Sequence, residues 1–181
     1  MLVLALLLAA PLRPGDVALS VRLETAYLRP DGDSSSRGGG AGLSLGYRLT
    51  DQLSAIGGAS ASLLWSQPAA GGPRQRQHLA MVFAGLEALL DATPIAPFLE
   101  LCVVRLLPES AAGYSLATRT SLGADWLFAE RFALGLAVRT LTPLDTSGGI
   151  SALGGAEVAL RFIWTPAGRR LPGGSVAALE R

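Results

Sequence analysis

The sequence predicts an all-β fold, an eight-stranded antiparallel up-and-down transmembrane β-barrel, and three observations lead to it. The 181 residues have a mean hydropathy of +0.40, yet only 16% are charged, against roughly 25% in a typical soluble domain. After Ala10 no apolar run approaches the ~18 residues that a membrane helix needs. Instead, eight segments alternate large apolar residues with small or polar ones at period two, which is the pattern of β-strands.

The first segment shows the pattern. In VALSVRLETAYLRP the odd-numbered positions from Val17 to Tyr27 are apolar except for Thr25, whereas the even-numbered positions hold Arg22 and Glu24 among alanine and serine. In a soluble sandwich the apolar row would face a core. In a membrane barrel it would face lipid, and the charged row would point inward. One strand leaves both arrangements open.

The lengths of the connections between segments distinguish the membrane barrel from the soluble sandwich. Long polar stretches such as RPDGDSSSRGGG and SQPAAGGPRQRQ alternate with short ones such as DQ and FAER. Short turns at one end and longer loops at the other are typical of transmembrane barrels. The strands are predicted at 17–28, 41–50, 53–65, 78–90, 97–106, 115–127, 132–141 and 152–164. We expect both termini on the periplasmic side and outward-facing loops at 29–40, 66–77, 107–114 and 142–151.

The row opposite the large apolar residues consists of Gly, Ala, Ser and ionisable residues. A soluble barrel would fill its interior with Val, Leu, Ile and Phe, whereas the narrow interior of an eight-stranded membrane barrel suits small residues. Buried charges are tolerated when they are paired, and the row holds five arginines and five acids. We predict that these ten residues form a charge network in the lumen: Arg22, Glu24, Arg48, Glu87, Glu100, Arg119, Asp125, Arg139, Glu157 and Arg161. Segment 78–90 is apolar on both faces, so its inward row is assigned through Glu87.

The ends of the chain differ from the middle. The apolar block MLVLALLLAA, followed by PLRPGD, predicts a secretory signal peptide over residues 1–15. The barrel is then expected over 16–165, followed by a short periplasmic tail over 166–181. The single cysteine, Cys102, excludes a disulfide within these residues.

Several stretches resemble small eight-stranded outer-membrane β-barrels of the OmpA/OmpX type. LGYRLTDQLSAIGGAS, LLDATPIAPFLELCV and GADWLFAERFALGLAVR are similar to their strand–turn–strand units, and GAEVALRFIW is similar to their terminal strand. The tail after it is a departure, since family members often end at the terminal aromatic residue. The resemblance implies a bacterial outer-membrane location and a monomer. It also implies contact with membrane lipid and lipopolysaccharide, and insertion by the barrel-insertion machinery.

We expect a non-enzymatic barrel with a structural, adhesive or weakly pore-forming role. The alternative is a secreted, soluble, lipocalin-like barrel that binds a small apolar ligand and has the opposite arrangement of faces. A lipid-modifying enzyme would need a nucleophile and a base, and the single histidine, His78, has no serine at a strand-compatible spacing. No cofactor is expected, and Asp31 and Asp33 lack the remaining ligands of a calcium loop. The net charge of +1, without a basic block, does not favour nucleic acid.

Overall fold

A computed structural model describes residues 14–30, 35–67, 75–90, 95–107, 116–129, 131–144 and 150–164. Nearly all of the predicted signal peptide, and the whole of the predicted tail, lie outside these ranges and stay predictions. Within these ranges no helix is long and apolar enough to span a membrane.

Eight strands form one closed barrel in which each strand pairs antiparallel with the next and the last pairs with the first. A closed barrel has no sheet edge, so the backbone groups of its strands are satisfied within the sheet, as a bilayer requires. The strands are β1 (Val17–Pro30), β2 (Ser35–Arg48), β3 (Leu53–Gln67), β4 (Gln75–Leu89), β5 (Ile95–Leu106), β6 (Leu116–Ala129), β7 (Phe132–Pro143) and β8 (Ile150–Trp164). The end of the barrel where β1, β3, β5 and β7 finish is called the loop end. The opposite end, where β1 begins and β8 finishes, is the terminus end.

The strands extend further at the loop end than the sequence predicts. Residues 35–40, expected in the loop 29–40, form the start of β2, so the connection 31–34 is no longer than the turn 49–52. The prediction of a long first loop is therefore wrong, and the predicted loops 66–77 and 142–151 also give residues to strands, whereas 107–114 does not. The composition SSRGGG is typical of loops, but here glycine is needed for close packing. A Cβ on Gly40 would overlap the carbonyl oxygen of Ala61 on β3.

The outward face of the barrel is apolar. In β5 the odd-numbered residues from Ile95 to Arg105 are exposed and the even-numbered ones are buried, and β7 alternates in the same way. Exposed large apolar side chains occur on all eight strands. At the terminus end, an aromatic group on β6–β8 joins Phe132 to Phe128 and Phe162, with ring centroids 6.2 Å and 5.4 Å apart. Such a surface suits lipid, with aromatic residues near the interface.

The inward face has three layers. Most of the charged side chains occupy the middle of the lumen, and large apolar side chains lie toward both ends. The prediction of an inward row without large apolar residues is therefore wrong at the ends. The loop-end layer includes Leu64, Leu79, Met81, Phe83, Val104, Leu106 and Leu141. The terminus-end layer includes Leu89, Phe98, Leu127 and Ile163.

Two inward phenylalanines fit because glycine lies beside each of them on the neighbouring strand. Phe83 pairs with Gly58, and Phe98 pairs with Gly123. A Cβ on either glycine would lie 2.7 Å from the Cζ atom of the opposing ring. The small residues of the inward row therefore make room for large ones. Each aromatic ring covers the glycine of the neighbouring strand, an arrangement that stabilises glycine in sheets.

Candidate functional site: the charge network of the lumen

Alternation along seven of the strands directs charged side chains into the lumen. All ten residues that the sequence analysis assigned to the network are buried on the inward face of their strands. Asp16, which precedes β1, is buried as well. Sequence reasoning missed it because it lies before the alternating segment. The buried charges of the described residues are thus five arginines and six acids.

Six of these residues form what we call the central cluster: Arg22, Arg119, Arg139, Glu24, Glu100 and Glu157. The Nη1 atom of Arg22 lies 3.1 Å from Oε2 of Glu100 and 2.9 Å from Oε1 of Glu157. On the other side of Glu100, Nη2 of Arg119 lies 2.6 Å from Oε1. Arg22 also donates from Nε to Ser44 Oγ at 2.9 Å. Glu100 therefore bridges two arginines from different strands.

Glu157 connects this bridge to the third arginine. Its Oε2 atom lies 3.7 Å from both Arg119 Nη2 and Arg139 Nη1, so all three arginines of the cluster surround one carboxylate. Arg139 also donates from Nη1 to Glu24 Oε2. Ser62 donates to the other oxygen of Glu24 at 2.5 Å.

An aromatic ring supports the central cluster from the loop end. The guanidinium carbon of Arg119 lies 4.0 Å from the ring centroid of Phe83, and that of Arg22 lies 5.6 Å from it. A cation above a ring face is stabilised by the negative π-surface. The inward position of Phe83 could have been inferred from the sequence, because Phe83 precedes Glu87 by four positions and residues an even number of positions apart share a strand face.

Two further acids, Glu87 and Asp125, meet a single arginine in what we call the Arg161 cluster. Arg161 donates from Nη1 and Nη2 to the two oxygens of Glu87, at 2.9 Å and 2.7 Å. This is the bidentate geometry in which guanidinium and carboxylate fit best. The Nη1 atom also lies 3.0 Å from Oδ2 of Asp125. The cluster lies nearer the terminus end than the central cluster does.

Arg48 and Asp16 lie at the terminus end of the lumen. Arg48 donates to Ser54 Oγ at 3.3 Å and to the carbonyl oxygen of Asp51. A cavity of about 20 Å³ lies beside Arg48, Asp16 and the Arg161 cluster. It has room for about one water molecule. In the part of the chain that the structure describes, no group of three or more His, Cys, Asp and Glu side chains could hold a metal ion.

A closed antiparallel barrel with an apolar exterior and charges in its lumen defines a transmembrane β-barrel of the outer-membrane type. The soluble lipocalin-like alternative needs the opposite arrangement of faces and is wrong. Every acid in the described strands points inward. The same is true of five arginines, each of which would cost about 2–4 kcal/mol at the lipid-facing midplane.

Solved structures of bacterial outer-membrane proteins share this fold. Neisserial surface protein A has a TM-score of 0.62 at 15% identity, over 82% of this chain and 98% of its own. OprG from Pseudomonas aeruginosa has a TM-score of 0.57 at 13% identity, over 85% and 98% of the two chains. The attachment invasion locus protein Ail of Yersinia pestis has a TM-score of 0.57 at 12% identity, over 83% and 99%. No protein-family model and no curated protein matches the chain.

At these identities the likeness establishes the fold, and the location follows from the surface. Leucine, valine and aromatic side chains cover the exterior, and closed antiparallel barrels with that exterior lie in the outer membranes of bacteria. The predictions of an eight-stranded barrel of the OmpA/OmpX type and of an outer-membrane location are confirmed.

Proposed function

We propose that this outer-membrane barrel is a sealed, non-enzymatic scaffold with a structural or adhesive role, rather than a pore. The observation that carries the proposal is the filling of the lumen. An apolar layer lies on each side of a middle layer in which nine of the ten assigned charges make ion pairs with one another.

The side chains in the lumen oppose the passage of ions. Leu64 of the loop-end layer is fully buried, and so are Glu100 and Arg119 of the central cluster. An ion that crossed the barrel would have to separate buried ion pairs, and leaving one buried charge without its partner costs about 3–5 kcal/mol. The apolar layers add a second barrier, because hydrophobic constrictions exclude water and ions.

The length of the strands supports a role in presenting loops. At ~3.4 Å per residue and a tilt of ~40°, a strand of the 14 residues in β1 rises roughly 36 Å. The apolar band of such barrels is only about 25 Å tall, so strand ends extend beyond the lipid and hold the loop-end connections away from it. The Yersinia pestis protein of the same fold is named for attachment and invasion, which supports an adhesive role as one use of such a scaffold.

The position of the histidine supports a role without catalysis. His78 lies on the outward face of β4, paired with Leu63 of β3. A serine–histidine mechanism needs the two side chains within hydrogen-bond reach, and the residue opposite His78 is apolar. We also propose that the protein is a monomer, and that β8 is the strand read by the insertion machinery.

Conductance across a planar lipid bilayer tests the sealed lumen. The full chain, refolded in detergent and shown to be folded by its heat-dependent shift on a gel, should add no stable conductance steps after insertion. A variant with the loop-end layer thinned by Leu64→Gly and Leu141→Gly serves as the control, since it should raise the conductance. Stable steps from the unaltered chain would establish the pore-forming role instead.

Protease treatment of intact cells tests the orientation. Cleavage is expected only in the connections at the loop end. Cleavage at Asp51–Gln52, or next to Arg131 in the turn between β6 and β7, would reverse the proposed orientation.

A further inference from the structure

Along the described strands, the charge on the outward face of the barrel lies in one region. Among strand residues whose side chains the structure describes, the outward-pointing charges are Arg37, Arg76 and Arg105, and no acid accompanies them. All three lie toward the loop end of their strands. The terminus half of the same surface is apolar or aromatic. Cations at one edge of an apolar band indicate an anionic partner at that membrane interface.

Two of these arginines are neighbours across an aromatic residue. Arg37 of β2 pairs with Trp65 of β3, and Trp65 pairs with Arg76 of β4. Strands lie about 4.8 Å apart, so the Cα atoms of the two arginines are roughly 10 Å apart with the indole between them. Within the described part of the chain, the side chain of neither arginine makes a hydrogen bond or an ion pair. His78 lies two residues from Arg76 on the same face.

The row next to these arginines consists of Gly39, Leu63 and His78. Two same-face positions from the arginines toward the middle of the membrane, Ala41, Ala61 and Ala80 lie side by side and the surface is low. Gly57 and Ala59 continue the small residues along β3. Neighbouring positions on β2 carry Leu43 and Leu45, which are exposed. Small residues let another apolar chain approach the backbone closely in a membrane.

We propose that Arg37, Trp65 and Arg76 bind a phosphate group of lipopolysaccharide, with an acyl chain of the same molecule lying on the alanine surface. The guanidinium fork matches phosphate in a bidentate way, and tryptophan is favoured at the level of the headgroups. The arginines share their face with Leu43 and Leu45, so they point sideways toward lipid rather than up into solution. This geometry favours a membrane lipid over a soluble polyanion.

Binding of purified lipopolysaccharide to the full chain, folded in detergent micelles, tests the proposal. The double variant Arg37→Gln/Arg76→Gln should bind about tenfold more weakly or worse, because both charge-assisted contacts are lost. Arg131→Gln, which removes an exposed arginine at the terminus end, is the matched control and should bind as the unaltered chain does. Arg37→Lys/Arg76→Lys should keep most of the affinity, since the charge remains.

Two further ligands separate the sources of affinity. Lipopolysaccharide with its phosphates removed should bind about as weakly to the unaltered chain as the intact lipid binds to the double glutamine variant. A soluble polysulfated sugar should not compete with the intact lipid. Equal binding by the double glutamine variant, equal binding of the dephosphorylated lipid, or full competition by the sugar would each overturn the proposal. Because Arg37 and Arg76 lie on the outward face, their substitution should leave the bilayer conductance unchanged, so this test is independent of the sealed lumen.

Discussion

The central cluster and the Arg161 cluster are equally buried but differ in how many partners each charge has. In the central cluster three arginines face three glutamates, and Glu157 lies within 4.0 Å of all three arginines. In the Arg161 cluster one arginine serves two acids. The cost of losing a charge should therefore depend on the partners that remain, because burial is the same in both places.

The largest effect is expected for Arg161→Met. The substitution leaves Glu87 and Asp125 buried without the cation that each contacts, and breaking a buried pair in this way costs about 3–5 kcal/mol. Urea unfolding, followed by the heat-dependent shift on a gel, measures the loss. The triple variant Arg161→Met/Glu87→Gln/Asp125→Asn removes all three charges and should recover most of the stability. A single variant as stable as the unaltered chain would show that the acids have other sources of stabilisation.

Arg139→Ala should cost less, about 1–3 kcal/mol. After the substitution Glu24 keeps its hydrogen bond from Ser62, at 2.5 Å. Glu157 keeps Arg22, at 2.9 Å. The same unfolding measurement compares this variant with Arg161→Met. If Arg139→Ala is the more damaging of the two, the number of remaining partners does not govern the cost.

Leu136→Ala is the smallest change and the reference for both. Leu136 is 62% exposed on the outward face of β7, so its removal shortens a lipid contact without opening a cavity. The expected loss is about 1 kcal/mol, from the transfer of fewer methylene groups out of water. An effect as large as that of Arg161→Met would mean that the outward face packs against something other than lipid.

The sequence was sufficient to predict which side of each strand faces the lumen. It was insufficient to predict which charged residues pair across the lumen. Alternation placed Arg22 and Glu24 on one face, because period two leaves only two faces to choose from. The contact between Arg22 and Glu100 joins residues 78 positions apart. It depends on the stagger of the whole barrel, which alternation does not specify. For the same reason the sequence did not show that Glu157 is shared by three arginines.

Composition is a poor guide to this barrel where glycines lie in strands and large apolar residues lie in the lumen. The GGG run suggested a loop, yet Gly40 packs against β3 where a side chain would not fit. The inward row was expected to hold small and ionisable residues, yet Phe83 and Phe98 point into the lumen as well. Each lies opposite a glycine on the neighbouring strand. Pairing between strands decides such cases, and it is a property of the closed sheet rather than of any one segment.

The pairing of the first strand with the last also determines when the barrel can be completed. Val17 pairs with Trp164, and Arg22 meets Glu157 from 135 positions away. An open sheet that lacked β8 would leave Arg22 without one of its two carboxylates while the outer face was already in contact with lipid. We therefore expect sheet closure to complete the neutralisation of Arg22. Closure comes late, because contacts of such long sequence separation form slowly.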